Sequence, residues 1–147
     1  MDFIQGNHNI ESFFGLLPAD WQEAIVPYWA DYADSSFLYI LMENNEIIGG
    51  GLEFTKPSPE MLSHFQLAQS YFQKGYNYLG YIWVNESHRG KGLGLYWLEN
   101  LIKLKPNQKF WLSIEEYSLH SFYEKTDFKL VQHLSGDAGE EWIMIRE

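Results

Sequence analysis

The chain has 147 residues, 46% of them hydrophobic and 18% aromatic, enough to bury one core without staples, so it reads as a single domain over 1–147. Net charge is −10, and residues 1–55 hold nine Asp and Glu with no Lys or Arg. Such a field opposes nucleic acid and favours cationic partners, although acidity also serves solubility alone. The absence of cysteine excludes disulfides, thiolate metal sites and a cysteine nucleophile. Without a long apolar run or a leader-like N-terminus, no membrane partner is expected and the cytoplasm is the default location.

In chain order, the first helix is expected to start at Asp20, an N-cap with Glu23 at capping-box spacing. Trp21, Ala24, Ile25, Tyr28, Trp29 and Tyr32 follow as one apolar face, and Pro27 divides the stretch into two short helices. S-F-L-Y-I-L-M-E and I-I-G-G-G-L-E-F read as a hairpin turning at N-N-E. Ser58 and Pro59 are expected to cap a third helix, with Met61, Leu62, Phe65, Ala68 and Phe72 inward and Gly75 as its stop. N-Y-L-G-Y-I-W-V is a strand that runs into glycines. A helix with Leu95, Leu98, Leu101 and Ile102 on one face ends before Pro106. K-F-W-L-S-I is a strand and S-L-H-S-F-Y-E-K a short helix; K-L-V-Q-H-L and E-W-I-M-I-R close the chain as a second hairpin. No clear strand is read at the N-terminus. The order implies a mixed sheet with helices on its faces, an α/β (α+β) arrangement.

The segment V-N-E-S-H-R-G-K-G-L-G, Val84 to Gly94, carries the chemistry. A strand that enters a helix through glycines leaves free N–H groups at the positive end of a helix dipole, an anion site to which Arg89 and Lys91 add charge. A P-loop is excluded because Gly92 follows Lys91 where Ser or Thr must bind magnesium. The dinucleotide fingerprint fails because Leu95 stands where its third glycine is needed. What remains is R-x-x-G-x-G: Arg89, Gly92 and Gly94.

This pattern resembles the pyrophosphate loop of the GNAT superfamily of acyl-CoA-dependent N-acyltransferases, without the proline common two residues after the valine. F-Y-E-K-T-D-F, Phe122 to Phe128, resembles that family's second motif, N-x-x-A-x-x-L-Y-E-K-x-G-F. Glu116, Leu119 and Asp127 occupy its asparagine, alanine and glycine positions, and residues 57–75 form an insertion. The similarity runs from about Tyr78 to Val131. The resemblance implies a GNAT-like central mixed sheet of six or seven strands, with a V-shaped splay between strands 78–84 and 110–114. It implies acetyl-CoA as co-substrate and no metal. Main chain of Ile82, Trp83 and Val84 would pair with the pantetheine arm, and that of Arg89, Gly90, Lys91, Gly92, Leu93, Gly94 and Leu95 would hold the pyrophosphate. Glycine at 92 and 94 should then matter more than the side chains of Lys91 and Leu93.

The implied reaction is direct attack of a primary amine on a thioester. Freeing a lysine-like amine at neutral pH costs about 4.6 kcal/mol, so a general base is required. The resemblance makes Tyr123 the acid for the departing thiolate. Strand 78–84 has no carboxylate, which leaves Glu115 and Glu53 as candidate bases. The five histidines form no metal-ligand spacing. An acetyltransferase acting on a cationic small molecule or peptide is the leading expectation. A non-catalytic acyl-CoA-binding or protein-interaction module is the alternative, and the oligomeric state is open, a homodimer included.

Overall fold

The computed structural model describes every residue except 59–60, 62–63 and 137–138. Seven strands form one mixed sheet: β1 (Asp2–Gln5), β2 (Ser36–Glu43), β3 (Glu46–Phe54), β4 (Tyr76–Val84), β5 (Lys109–Ile114), β6 (Lys129–Gly136) and β7 (Gly139–Arg146). Their order across the sheet is β1-β2-β3-β4-β5-β7-β6, and every neighbouring pair is antiparallel except β4 with β5. The helices are α1 (Ile10–Phe14), α2 (Ala19–Ile25), α3 (Trp29–Tyr32), α4 (Phe65–Gln73), α5 (Leu93–Leu104) and α6 (His120–Glu124). Among the described residues no helix is long and apolar enough to cross a membrane.

Several boundaries differ from the sequence reading. The N-terminal strand exists, and it is hard to see because D-F-I-Q buries only Phe3 partly, against Tyr39 at 5.5 Å. Helix α1 was also not anticipated; Phe13 and Phe14 anchor it in the core. Helix α2 begins one residue before Asp20, with Pro18 as N-cap and no side-chain capping bond, so the capping box does not form. Pro27 divides the region as expected, within a 3-10 turn over Val26–Tyr28. Helix α4 begins at Phe65, capped by His64 rather than by Ser58. Pro59 and Leu62 lie outside the described residues, and Phe65 faces solvent, while Met61 and Ala68 are buried. In the first hairpin Asn44 and Asn45 both take positive φ, 53° and 65°, the two-residue turn whose twist matches the strands it joins.

Two of the three glycines of β3, Gly50 and Gly51, let aromatic rings lie directly on both faces of the sheet. A Cβ at Gly50 would stand 2.7 Å from Phe13 Cε1, and one at Gly51 would stand 2.6 Å from Trp97 Cζ2. Trp97, 1% exposed, also donates its indole N–H to the Tyr39 carbonyl at 2.9 Å, which fixes α5 against β2 and β3. The helical-face reading of α5 included Leu98 and Leu101 but not this residue, which sits deeper than Leu95.

Across from Gly51, strand β4 bulges. Leu52 pairs with Gly80 and Gly50 with Trp83, so Tyr81 and Ile82 together oppose one residue, and Tyr81 adopts φ 55°. Strand β4 pairs with β5 only from Tyr76↔Lys109 to Tyr78↔Trp111. Beyond that point the strands part, and the V-shaped splay expected between 78–84 and 110–114 is present.

Gly51→Ala should cost roughly 1–3 kcal/mol, because the ring it meets is fully packed. Urea unfolding would register the loss as a lower midpoint; an unchanged midpoint would show that Trp97 can move aside.

Candidate active site

Where β4 leaves β5, a cavity of about 540 Å³ passes between them. Its walls are Tyr78 to Ile82 on β4, Leu112 to Ile114 on β5, and Asp20, Trp21 and Ala24 on α2. Glu115, Glu116, Leu119 and Tyr123 add the segment that follows β5, and Glu141 adds β7. The closed end of the V is pinned by aromatic contacts: Trp111 lies 4.6 Å from Tyr78 and 5.1 Å from Tyr71 of α4.

Main chain on the open edge of β4 turns toward this gap at alternate residues. The Asn85 N–H bonds the Ile48 carbonyl of β3 at 2.8 Å, and Trp83 pairs with Gly50. Val84, one step out of phase, therefore turns its peptide group toward the gap, and its carbonyl accepts a hydrogen bond from Arg89 Nε at 3.0 Å; Ile82 lies in the β4 bulge and lines the cavity. Trp83 pairs with Gly50 of β3 as Val84 does with Gly49, and its buried ring meets Phe13 edge-on.

The glycine loop lies at the end of the same strand. Asn85 first caps a short turn over Glu86–His88, its side-chain oxygen accepting from the Ser87 N–H at 3.0 Å. Gly90 and Gly92 then take φ of 78° and 77°, with open space where a Cβ would be. Gly92 is the N-cap of α5 without a side-chain capping bond, so the N–H groups of the first turn face outward. Arg89 and Lys91 are exposed beside it. Gly94 has a further role: a Cβ there would stand 3.0 Å from Phe122 Cζ, so this glycine lets α6 rest on the start of α5. Leu93 belongs to the core. These features fit a coenzyme A thioester: glycines with open space beside them for a diphosphate, and a strand edge that has left its neighbour for an amide-bearing arm.

Helix α6 brings Tyr123 into the cavity wall. Its ring packs edge-on against Phe122 and Phe128, and burial pushes the phenol up to about 12, so it keeps its proton at neutral pH. Asp127, where relatives of the motif favour glycine, adopts φ 67°, the left-handed conformation that glycine takes easily, as the chain leaves α6.

The two candidate bases part company. Glu115 lines the cavity, exposed at its rim. Glu53 does not line it. On β3 its side chain points toward α5 and is fully buried; Lys105 Nζ lies 2.8 Å from both carboxylate oxygens. Asn77 donates to the same carboxylate at 2.8 Å and the Tyr39 hydroxyl at 3.4 Å. Burial, then the Glu53 charge, hold the Tyr39 phenol well above its ordinary range. Glu53 is thus the fully buried half of an ion pair whose lysine reaches the surface.

Sequence reasoning missed Glu141 and Ser113 as site residues, and it named Asp20 and Glu116 only as a helix cap and a motif departure. No local pattern marks them, because they meet only when β5, β7 and α2 assemble. Among the described residues no group of His, Asp and Glu is placed to hold a metal ion.

Residues 7–128 match the model of the acetyltransferase (GNAT) family. The chain therefore belongs to that family of acyl-CoA-dependent acetyltransferases, whose general reaction is acetyl transfer to amines. No curated protein sequence matches significantly. Solved structures share the fold at low identity. An aminoglycoside 6′-N-acetyltransferase complexed with coenzyme A superposes with a TM-score of 0.71 at 14% identity, over 99% of this chain and 96% of that one. For an acyl-CoA N-acyltransferase from Pseudomonas aeruginosa the values are 0.69 and 14%, over 99% of both chains. Arabidopsis thaliana Naa50, in complex with a bisubstrate analogue, gives 0.67 and 14%, over 100% of this chain and 99% of that one.

Lys105→Met should destabilise the protein by about 3–5 kcal/mol, since it leaves the Glu53 carboxylate buried without its countercharge. The double variant with Glu53→Gln should recover part of that loss in the same denaturation experiment. A single variant as stable as the wild type would contradict an ionised pair.

Proposed function

We propose that this chain transfers an acetyl group from acetyl-CoA to a primary amine of a cationic acceptor, by direct attack. One observation carries the reading: among the described residues, the gap between β4 and β5 has a protonated tyrosine in its wall and four carboxylates, Asp20, Glu115, Glu116 and Glu141, with no Lys or Arg. The aromatic side chains of Trp21, Tyr78 and Tyr81 complete a lining suited to a cation. A cytoplasmic setting belongs to the same proposal.

Acetyl-CoA would supply the activated acyl group as a thioester. Gly90 to Leu95 would hold its diphosphate through main-chain N–H groups, and Ile82 and Val84 would pair with its amides. Arg89 would give up the Val84 carbonyl to do so. Glu115, at the C-terminal end of β5, would take the proton that the amine must lose. As nitrogen bonds to the acyl carbon and the carbon–sulfur bond breaks, the Tyr123 hydroxyl would donate its proton to the departing sulfur. A phenol that stays protonated to about pH 12 suits an acid and not a base.

Tyr123→Phe should lower kcat by about 10²-fold or more, the range for loss of a general acid, while the Kd for acetyl-CoA stays nearly constant. In the wild type, kcat should not fall as pH rises through about 10, the ordinary tyrosine value. Equal loss of binding and turnover would reassign Tyr123 to the cofactor site. Gly92→Val forces a β-branched residue to positive φ and places methyl groups over the cradle. The rise in melting temperature that acetyl-CoA produces in the wild type should shrink or vanish in this variant. An undiminished rise would place the diphosphate elsewhere, and no rise in the wild type at millimolar ligand would remove the cofactor reading.

A further inference from the structure

One carboxylate of the cavity is held differently from the rest. Glu141 is half-buried on β7, while Asp20, Glu115 and Glu116 are exposed at the rim. Ser113, itself a wall residue, donates its hydroxyl to Glu141 Oε1 at 3.2 Å. His64 Nε2 lies 2.7 Å from Oε2. His64 is the N-cap of α4 and comes from the 57–75 insertion, so that segment places an N–H donor on a carboxylate inside the cavity wall.

Charge conservation then limits the acceptor. The nitrogen that attacks must be neutral, so a monoamine surrenders its only positive charge before it reacts. One carboxylate can take that proton, and three others still line the walls. An acceptor that keeps a second ammonium group satisfies them, and a simple alkylamine does not. Glu141 is built to receive such a group: it stands on a strand, and both of its oxygens are already oriented by donors. The imidazole N–H at Oε2 makes the contact that an ammonium N–H would make at the same distance.

Resting on the acetyl-transfer reading, we propose that Glu141 selects acceptors carrying a second positive charge, and that His64 occupies its Oε2 until that charge displaces it. Glu141 is a specificity residue, and His64 competes with the substrate for one of its oxygens.

The test is thiol release from acetyl-CoA with spermidine and with n-butylamine, for wild type, Glu141→Gln and His64→Ala. Glu141→Gln keeps the side-chain shape and the Ser113 hydrogen bond. It should raise KM for spermidine by about 10-fold or more, the value of a lost charge-assisted contact, and raise KM for n-butylamine by clearly less. His64→Ala removes the competing donor while the Ser113 contact remains, and should lower KM for spermidine. An unchanged preference between the two amines in Glu141→Gln would overturn the selection. Equal loss of kcat on both amines would do so too, since it would put Glu141 in proton transfer. A higher KM for spermidine in His64→Ala would overturn the displacement. These results leave acetyl transfer standing, whereas thiol release with neither amine in the wild type would sink this inference and the reading beneath it together.

Discussion

The early end of pairing between β4 and β5 is the constraint on which the site depends. Three residue pairs hold the strands together, and the sheet then continues as two leaves, β1-β2-β3-β4 and β5-β7-β6. The bulge at Tyr81 bends β4 while keeping it on β3, and β5 stays on β7 from Phe110 to Ile114. Peptide groups on the facing edges thus lose strand partners, which a folded chain tolerates only where water or a ligand can supply hydrogen bonds. A molecule with amides along an extended arm meets that need in the manner of an added strand. The aromatic cluster of Tyr71, Tyr78 and Trp111 closes the narrow end, so the opening is built in.

Charge is arranged along the same opening. Arg89 and Lys91 stand by the glycine loop, whereas among the described residues the charged side chains of the cavity walls are all carboxylates. An anionic cofactor and a cationic acceptor would be drawn to different parts of one cleft, and each would be repelled from the other's part. The ion pair serves another purpose. Lys105 and Glu53 lie on the α5 side of the sheet, where they join the end of that helix to β3. A carboxylate in the acidic N-terminal third was a reasonable candidate base, but strand alternation sends Glu53 to the face opposite Phe54, whose ring meets Tyr78 and Tyr81.

Features encoded by local chemistry were legible in the sequence. The Asn-Asn hairpin, the Pro27 break, the Gly75 helix stop and the glycine loop each rest on residues whose backbone preferences act without neighbours. The splay of the sheet came from resemblance to a family and from no periodicity in the chain. Features that depend on assembly stayed hidden. Strand β1 is short and nearly all exposed, so it shows no alternation. The β3 glycines look like a weakened strand until Phe13 and Trp97 are seen to fill the space. The site residues Ser113 and Glu141 are far apart in sequence and adjoin only through the pairing of β5 with β7. Asp127 shows the middle case: its motif position called for glycine, and the backbone kept the glycine-like conformation with another residue in place.

Hydrogen exchange of the backbone amides, with and without coenzyme A, tests most directly whether the opened strand edge and the glycine loop hold the cofactor. The predicted result is protection concentrated at Ile82, Val84 and Gly90 to Leu95, with little change along β6 or β7. Protection that spares those amides, or that appears only at distant elements, would contradict it.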